Sequence, residues 1–168
     1  MLRTILCYVS FALYLVLIEP KKIYYNHLIK IGREREAAAG VERTVKGLVS
    51  LIERLAGASY EVEGLENIPE GAALFAGNHQ GYFDIAAVVT QMGPLRSILA
   101  KKEVLRIPLF GGWMKLFGCI TIDRGDARES LKAIAKVQET LEAGKSVILF
   151  PEGTRTKSPD MLPFKPGA

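Results

Sequence analysis

The chain has 168 residues, enough for one domain with a sizeable core and short for two. Its 49% hydrophobic and 24% charged content excludes a disordered chain, and a mean hydropathy of +0.16 predicts that some segment meets lipid. With 22 basic against 18 acidic residues the net charge is +4, which suits an anionic partner without choosing among a membrane surface, a nucleic acid and a phosphorylated metabolite, while two distant cysteines speak against a disulfide framework or zinc knuckle.

The apolar run TILCYVSFALYLVLI (4–18) is uncharged. As a helix it would span about 22 Å, short of a ~30 Å hydrocarbon core, so a lone transmembrane helix is not expected from it. Arg3 ahead of it fits a signal peptide, but EPKK follows where a small-residue cleavage site is needed, which favours retention. KKIYYNHLIK mixes lysines with Ile23, Tyr24, Tyr25, Leu28 and Ile29, as an interfacial element with snorkelling lysines would. An amphipathic helix packed on its own domain is the alternative. Val41, Val45, Leu48, Val49, Ile52 and Leu55 recur at helical spacing and predict a helix over 41–56. Gly57-Ala58-Ser59 then divides an N-terminal membrane-associated helical region (1–57) from the main domain (58–168).

YEVEGLENIPEG reads as a short strand and turn, and AALFAG (72–77) as the first buried strand. RSILA (96–100), CITI (119–122) and SVILF (146–150) are further strands. The stretch 101–118 combines lysines and Arg106 with Leu109, Phe110, Trp113, Met114 and Phe117, suiting an interface-facing loop or acyl-chain pocket and an ordinary amphipathic core helix equally well. Asp126 and Glu129 form a capping-box pattern opening a helix whose Leu131, Ile134, Ala135, Gln138 and Leu141 share a face and whose stop is Gly144. Alternation of strands and helices predicts an α/β fold, a mixed sheet flanked by helices, with the N-terminal membrane-associated element attached.

NHQGYFD (78–84) carries the first candidate chemistry. On one regular helix His79 and Asp84 would point about 140° apart and not converge. With His79 in the loop after AALFAG and a helix starting near Tyr82 or Phe83, Asp84 reaches back from the first turn to the imidazole, making a general base of controlled tautomer. Helix capping alone explains the same residues. A metal site is not expected: His27 is the only other histidine and no cysteine cluster supports one. FPEGTR (150–155) lies at the C-terminal end of a strand, where open α/β sheets bind ligands. Arg155 there suits a bidentate phosphate grip, with Gly153 allowing close backbone approach and Thr154 adding a hydroxyl. The plainer reading is a strand-ending turn with a surface Glu152–Arg155 pair. In GCITIDRGD, Arg124 offers a second cation to the same anion, or else belongs to a solvated loop.

Together the three stretches resemble the glycerolipid acyltransferase family, in particular the 1-acyl-sn-glycerol-3-phosphate (lysophosphatidic acid) acyltransferases. NHQGYFD matches the family's N-H-x(4)-D block, GCITIDR its block ending in I-D-R, FPEGTR its E-G-T-R block, and YEVEGLENIP its lead-in. The resemblance implies transfer of an acyl group from a thioester, on acyl carrier protein or coenzyme A, to the free hydroxyl of lysophosphatidic acid, giving phosphatidic acid in phospholipid biosynthesis. His79 would be the base and Asp84 its orienting partner. Arg155, Gly153, Thr154 and Arg124 would hold the glycerol phosphate, with Glu152 fixing the loop. No covalent serine or cysteine, metal or further cofactor is implied; the thioester is a substrate. Cys119 is then a core residue and Cys7 a membrane-element residue. The implied partners are lysophosphatidic acid, the acyl donor and a membrane lipid surface, with no nucleic acid, at the cytoplasmic face of a membrane such as the bacterial inner membrane. Glycerol 3-phosphate or another lysophospholipid is the rival acceptor, hydrolysis of the thioester a rival reaction, and a truncated noncatalytic membrane-binding remnant a rival of another class. The chain stops at LPFKPGA. Family members continue through a fourth, proline-containing apolar block, so the 58–168 domain is expected to be C-terminally incomplete.

Overall fold

The computed structural model describes residues 1–123, 125–156, 158 and 160–165. Helix α1 runs over Leu2–Lys30 without a break at Pro20. The two separate N-terminal elements expected from the sequence are therefore one helix of about 43 Å. Packing explains the continuity: Leu15 and Ile18 before the proline and Leu28 after it are all buried. A turn at Gly32 (φ +78°) leads to α2, Glu34–Ala56, which starts well ahead of the expected position 41. At its end Gly57 takes the left-handed conformation that lets the Gly57 and Ala58 N–H groups return to the Arg54 and Glu53 carbonyls.

The two helices form an antiparallel hairpin with close backbone approach. The Tyr25 ring lies where a Cβ on Gly40 would sit, only 2.4 Å away, and the Tyr25 hydroxyl pairs with Thr44 Oγ1 at 3.1 Å. Along the rest of α1 the apolar side chains Leu2, Ile5, Leu6, Tyr8, Val9, Leu13, Val16, Leu17, Ile23 and Tyr24 are exposed. By length and composition α1 is the one helix among the described residues that suffices to cross a membrane.

Four short strands follow: β1 (Leu74–Ala76), β2 (Ser97–Lys101), β3 (Ile120–Ile122) and β4 (Val147–Leu149), in the order β1-β4-β2-β3. The α/β class holds, but every described pairing is parallel where a mixed sheet was expected. Each consecutive pair of strands is joined by a segment carrying a helix, the crossover a parallel pair needs. These are α3 (Tyr82–Gln91), α4 (Phe110–Leu116) and α5 (Ala127–Glu142). The stretch YEVEGLENIPEG forms no strand; a 3-10 turn at Leu65–Asn67 is its only regular structure.

β4 is buried on both faces, as its unbroken apolar run requires. Val147 joins Ile120, Ile122, Ala133 and Val137 on the α5 side. Ile148 joins Val89 and Ile98 on the other, where Val45 and Val49 of α2 also pack. The α5 side corrects the expected helix face: Leu131 and Ile134 are 66% and 42% exposed, while Ala133 and Val137 are buried. Small and β-branched residues four apart bring the helix close to the sheet, as bulkier ones would not. Asp126 caps the helix as read, accepting from the N–H groups of Arg128 (2.9 Å) and Glu129 (3.2 Å). The reciprocal arm of the expected capping box is not made: the Glu129 carboxylate pairs with Lys132 at 2.6 Å and the Asp126 N–H donates to the Asp123 carbonyl at 3.3 Å.

Residues 101–118 resolve into a 3-10 turn (Lys102–Arg106) and α4. Trp113 packs with Leu15, Ile18 and Leu48, so the inner side of α4 is ordinary core. A Cβ on Gly111 would stand 2.1 Å from the Leu105 carbonyl oxygen, so only glycine fits there.

Candidate active site

Because all the described strands are parallel, their C-terminal ends share one edge of the sheet. β1 and β4, the first and last strands, are neighbours with Ala76 opposite Leu149. The loops that leave them, NHQG and FPEGTR, therefore meet, although some 70 residues separate them in the chain.

The first loop ends at Gly81, in extended conformation, and α3 begins at Tyr82. Asp84 thus occupies the first turn. Its Oδ2 accepts from the main-chain N–H groups of Gln80 (2.6 Å) and Gly81 (2.8 Å) and lies 2.7 Å from His79 Nδ1. Capping and imidazole orientation, alternatives at the level of sequence, are performed by the same oxygen. Partial burial alone would raise the Asp84 carboxyl. The hydrogen bonds from Gly81, His79 and Gln80 outweigh it and hold the group below the usual carboxylate range. Facing an ionised carboxylate, Nδ1 carries the ring proton, and Nε2 keeps its lone pair for another donor.

The second loop fastens the histidine from the other side. Phe150 stacks on the imidazole, with ring centroids 4.3 Å apart and planes at 24°. The Thr156 N–H donates to the His79 carbonyl at 2.8 Å. Between them Gly153 takes φ +71° and returns its N–H to the Phe150 carbonyl at 3.0 Å, making the turn tight. Thr154 and Arg155 are exposed on this loop. The Arg155 Cζ lies 4.0 Å from the centroid of the Tyr82 ring.

The surface Glu152–Arg155 pair is absent. Glu152 is 1% exposed, and neither of its carboxylate oxygens has a hydrogen-bond partner among the described residues. Arg124 lies outside the described residues. The strand that leads to it, β3, is two places from β4 in the sheet, about 10 Å away. Its neighbour Asp123 is tied into the loop: it pairs with Lys102, accepts from the Gly125 N–H at 3.0 Å, and its carbonyl accepts from Ser130 Oγ at 2.7 Å. The Lys102 hydrogen bond, then that from Gly125, holds the Asp123 carboxyl below its ordinary range. Cys119 is turned inward, its thiol donating to the Ile98 carbonyl at 3.1 Å, and burial pushes its pKa up to about 12. Among the described residues no group of three or more His, Cys, Asp and Glu is placed to hold a metal.

Sequence reasoning passed over Phe150, Thr156 and Tyr82. Phe150 reads as the last apolar residue of a strand, and the N–H of Thr156 has no signature in its side chain. Only proximity to His79 and Arg155 gives these residues a part in the site.

A family model described as Acyltransferase matches residues 59–168. The chain belongs to the acyltransferase family. The matched region opens just after α2 and holds the whole of this loop cluster. Among relatives, the 1-acyl-sn-glycerol-3-phosphate acyltransferase of Pseudomonas aeruginosa is 40% identical over 114 residues, covering 67% of this chain and 44% of that protein. A chloroplastic 1-acyl-sn-glycerol-3-phosphate acyltransferase of Arabidopsis thaliana is 35% identical over 109 residues, 64% of this chain and 30% of that one. The crystal structure of the 1-acyl-sn-glycerophosphate acyltransferase of Thermotoga maritima matches with a TM-score of 0.65 at 26% identity, covering 97% of this chain and 67% of that one. This acyltransferase chain thus spans between about a third and a half of the curated relatives it matches.

Proposed function

We propose that the chain carries the reacting centre of a lysophosphatidic acid acyltransferase. The observation that supports this most is the 2.7 Å contact between His79 Nδ1 and Asp84 Oδ2, on the sheet edge that also presents Arg155. An alcohol is a poor nucleophile at neutral pH, and a positioned base answers that need. His79 Nε2 takes the proton of the acceptor hydroxyl as its oxygen bonds to the thioester carbonyl carbon. The tetrahedral adduct collapses, the carbon–sulfur bond breaks, and the imidazolium returns the proton to the leaving thiolate. Products are phosphatidic acid and a free thiol. Asp84 stabilises the imidazolium while it lasts. Arg155 receives the acceptor phosphate, Gly153 allows the loop to approach it, Thr154 adds a hydroxyl, and Arg124 adds a second cation.

Residues 1–57 serve as the membrane-associated region, with the bare apolar face of α1 toward lipid, and 58–168 as the acyltransferase domain. Both product chains and the acceptor chain prefer the bilayer, so a lipid-held enzyme meets its substrate laterally. The site faces the cytoplasmic side, where acyl carrier protein and coenzyme A thioesters are found. The names of the relatives favour lysophosphatidic acid over glycerol 3-phosphate as acceptor.

The deciding assay follows phosphatidic acid formation by the purified chain in phospholipid vesicles, with lysophosphatidic acid and either acyl-acyl carrier protein or acyl-coenzyme A. Turnover by the native chain, lowered about 10² to 10⁴-fold in H79A, is the expected result. Absence of product with both donors, or equal rates in the two proteins, overturns the proposal.

A further inference from the structure

We infer that Tyr82 is a positioning residue whose ring holds the Arg155 guanidinium on the catalytic edge, so that it meets a phosphate-bearing acceptor; this rests on the acceptor reading given above. The juxtaposition is direct: Arg155 Cζ stands 4.0 Å from the Tyr82 ring centroid. Tyr82 is 71% exposed and Arg155 is exposed too, so the pair is no by-product of core packing. Among the described residues no carboxylate lies in ion-pair range of Arg155, and the neighbouring Glu152 is buried away from it.

The mode of attachment matters for what the arginine can do. A carboxylate partner would occupy guanidinium N–H groups and cancel the charge. An aromatic face attracts the cation through its quadrupole and leaves the in-plane donors open to a bidentate phosphate. Tyr82 also opens α3, in the same turn as Asp84 and three residues after His79. Its ring therefore ties the phosphate-binding cation to the frame that carries the base. A free arginine side chain must be ordered by the substrate each time it binds; one already resting on a ring loses less freedom. The effect belongs in acceptor binding, not in the chemical step. It depends on the aromatic face, and the phenolic hydroxyl is dispensable.

The test compares native chain, Y82F, Y82L, R155A and R155A/Y82L. With lysophosphatidic acid as acceptor, Y82L is expected to raise KM about three- to fivefold while kcat changes by less than about twofold, and Y82F to stay near native. In the R155A background Y82L is expected to add nothing, since the interaction is already gone. A native KM in Y82L, a defect in Y82F as large as in Y82L, or full additivity with R155A overturns the inference. Calorimetric titration with glycerol 3-phosphate separates it from the acceptor reading. If the native chain makes no phosphatidic acid, that reading fails, and the titration still decides here: weaker binding by Y82L, about three- to fivefold, sustains the role of Tyr82. Equal binding by the two proteins, or none by the native chain, ends it.

Discussion

The main-chain N–H of Thr156 donates to the carbonyl of His79 at 2.8 Å, tying the loop after β4 to the loop after β1. With the Phe150 ring stacked on the imidazole, it makes the FPEGTR loop the backing of the histidine as well as the bearer of Arg155. A substitution that removes this donor should loosen the site with little damage to the core. T156P is expected to lower turnover by about tenfold or more. Losing this hydrogen bond together with the one that Thr156 Oγ1 accepts from the Ser158 N–H at 3.2 Å should cost about 1–3 kcal/mol, several degrees in Tm. T156S, which keeps the N–H, is expected to remain near native in turnover. Steady-state kinetics with thermal unfolding of both variants checks this.

Asp84 both caps α3 and contacts the imidazole proposed as the base, and D84N separates the two roles. An amide oxygen still accepts from the Gly81 and Gln80 N–H groups but offers no negative charge to an imidazolium. Turnover is expected to fall by about 10² or more, while stability near pH 7 drops by only about 1 kcal/mol. The measurement is kcat beside urea unfolding for the same protein. A D84N enzyme that retains native kcat contradicts the role given to the carboxylate.

The same residue makes a prediction in pH. Its carboxyl is depressed in the folded protein, so ionised Asp84 contributes stability that is fully present above the unfolded carboxylate value, about pH 4, and is lost as pH falls through the lower folded value. Between about pH 4 and pH 2 the native chain should therefore lose stability more steeply than D84N. Urea midpoints across that range for both proteins provide the comparison.

Gly111 is required by space. A methyl group there would meet the Leu105 carbonyl oxygen at 2.1 Å, and a backbone atom in a packed turn moves less readily than a side-chain tip. G111A is expected to cost about 1–3 kcal/mol. G144A adds no contact, but the helix-stop conformation at φ +77° makes it strained as well. G125A, with Asp123 Oδ1 at 3.4 Å, should be nearly neutral by comparison. Denaturant unfolding of G111A and G125A tests the difference.

Cys119 should behave as a core residue. With its thiol bonded to the Ile98 carbonyl and its pKa pushed up to about 12, it holds almost no thiolate at pH 8. In a C7S background a thiol-directed reagent is expected to label the chain only after unfolding in guanidinium. Rapid labelling of the native variant refutes this.

Much of the local structure was legible along the chain. Asp126 ahead of α5, Gly57 and Gly144 after their helices, and the short apolar runs of β1 to β4 are governed by contacts within a few residues, which sequence spacing reports directly. The placement of Asp84 in the first turn of α3 is of this kind: a helix start near Tyr82 brings the carboxylate back to His79 by local geometry alone. Other features lay beyond that reach. The continuity of α1 through Pro20 depends on burial of Leu15, Ile18 and Leu28, the first two against Leu48 of α2 and Trp113 of α4. The inward face of α5 is chosen by how closely Ala133 and Val137 can lie on the sheet, not by the larger side chains Leu131 and Ile134.

For the site, the residue types and the two loops were determined by the sequence itself, because a strand end followed by Gly, Pro or a capping acid must turn there whatever surrounds it. Which loops meet was decided only by the tertiary structure. β4 lies beside β1 because its fully apolar run is stable when covered on both faces and paired on both edges, and that position carries Phe150, Thr156 and Arg155 to His79 and Tyr82.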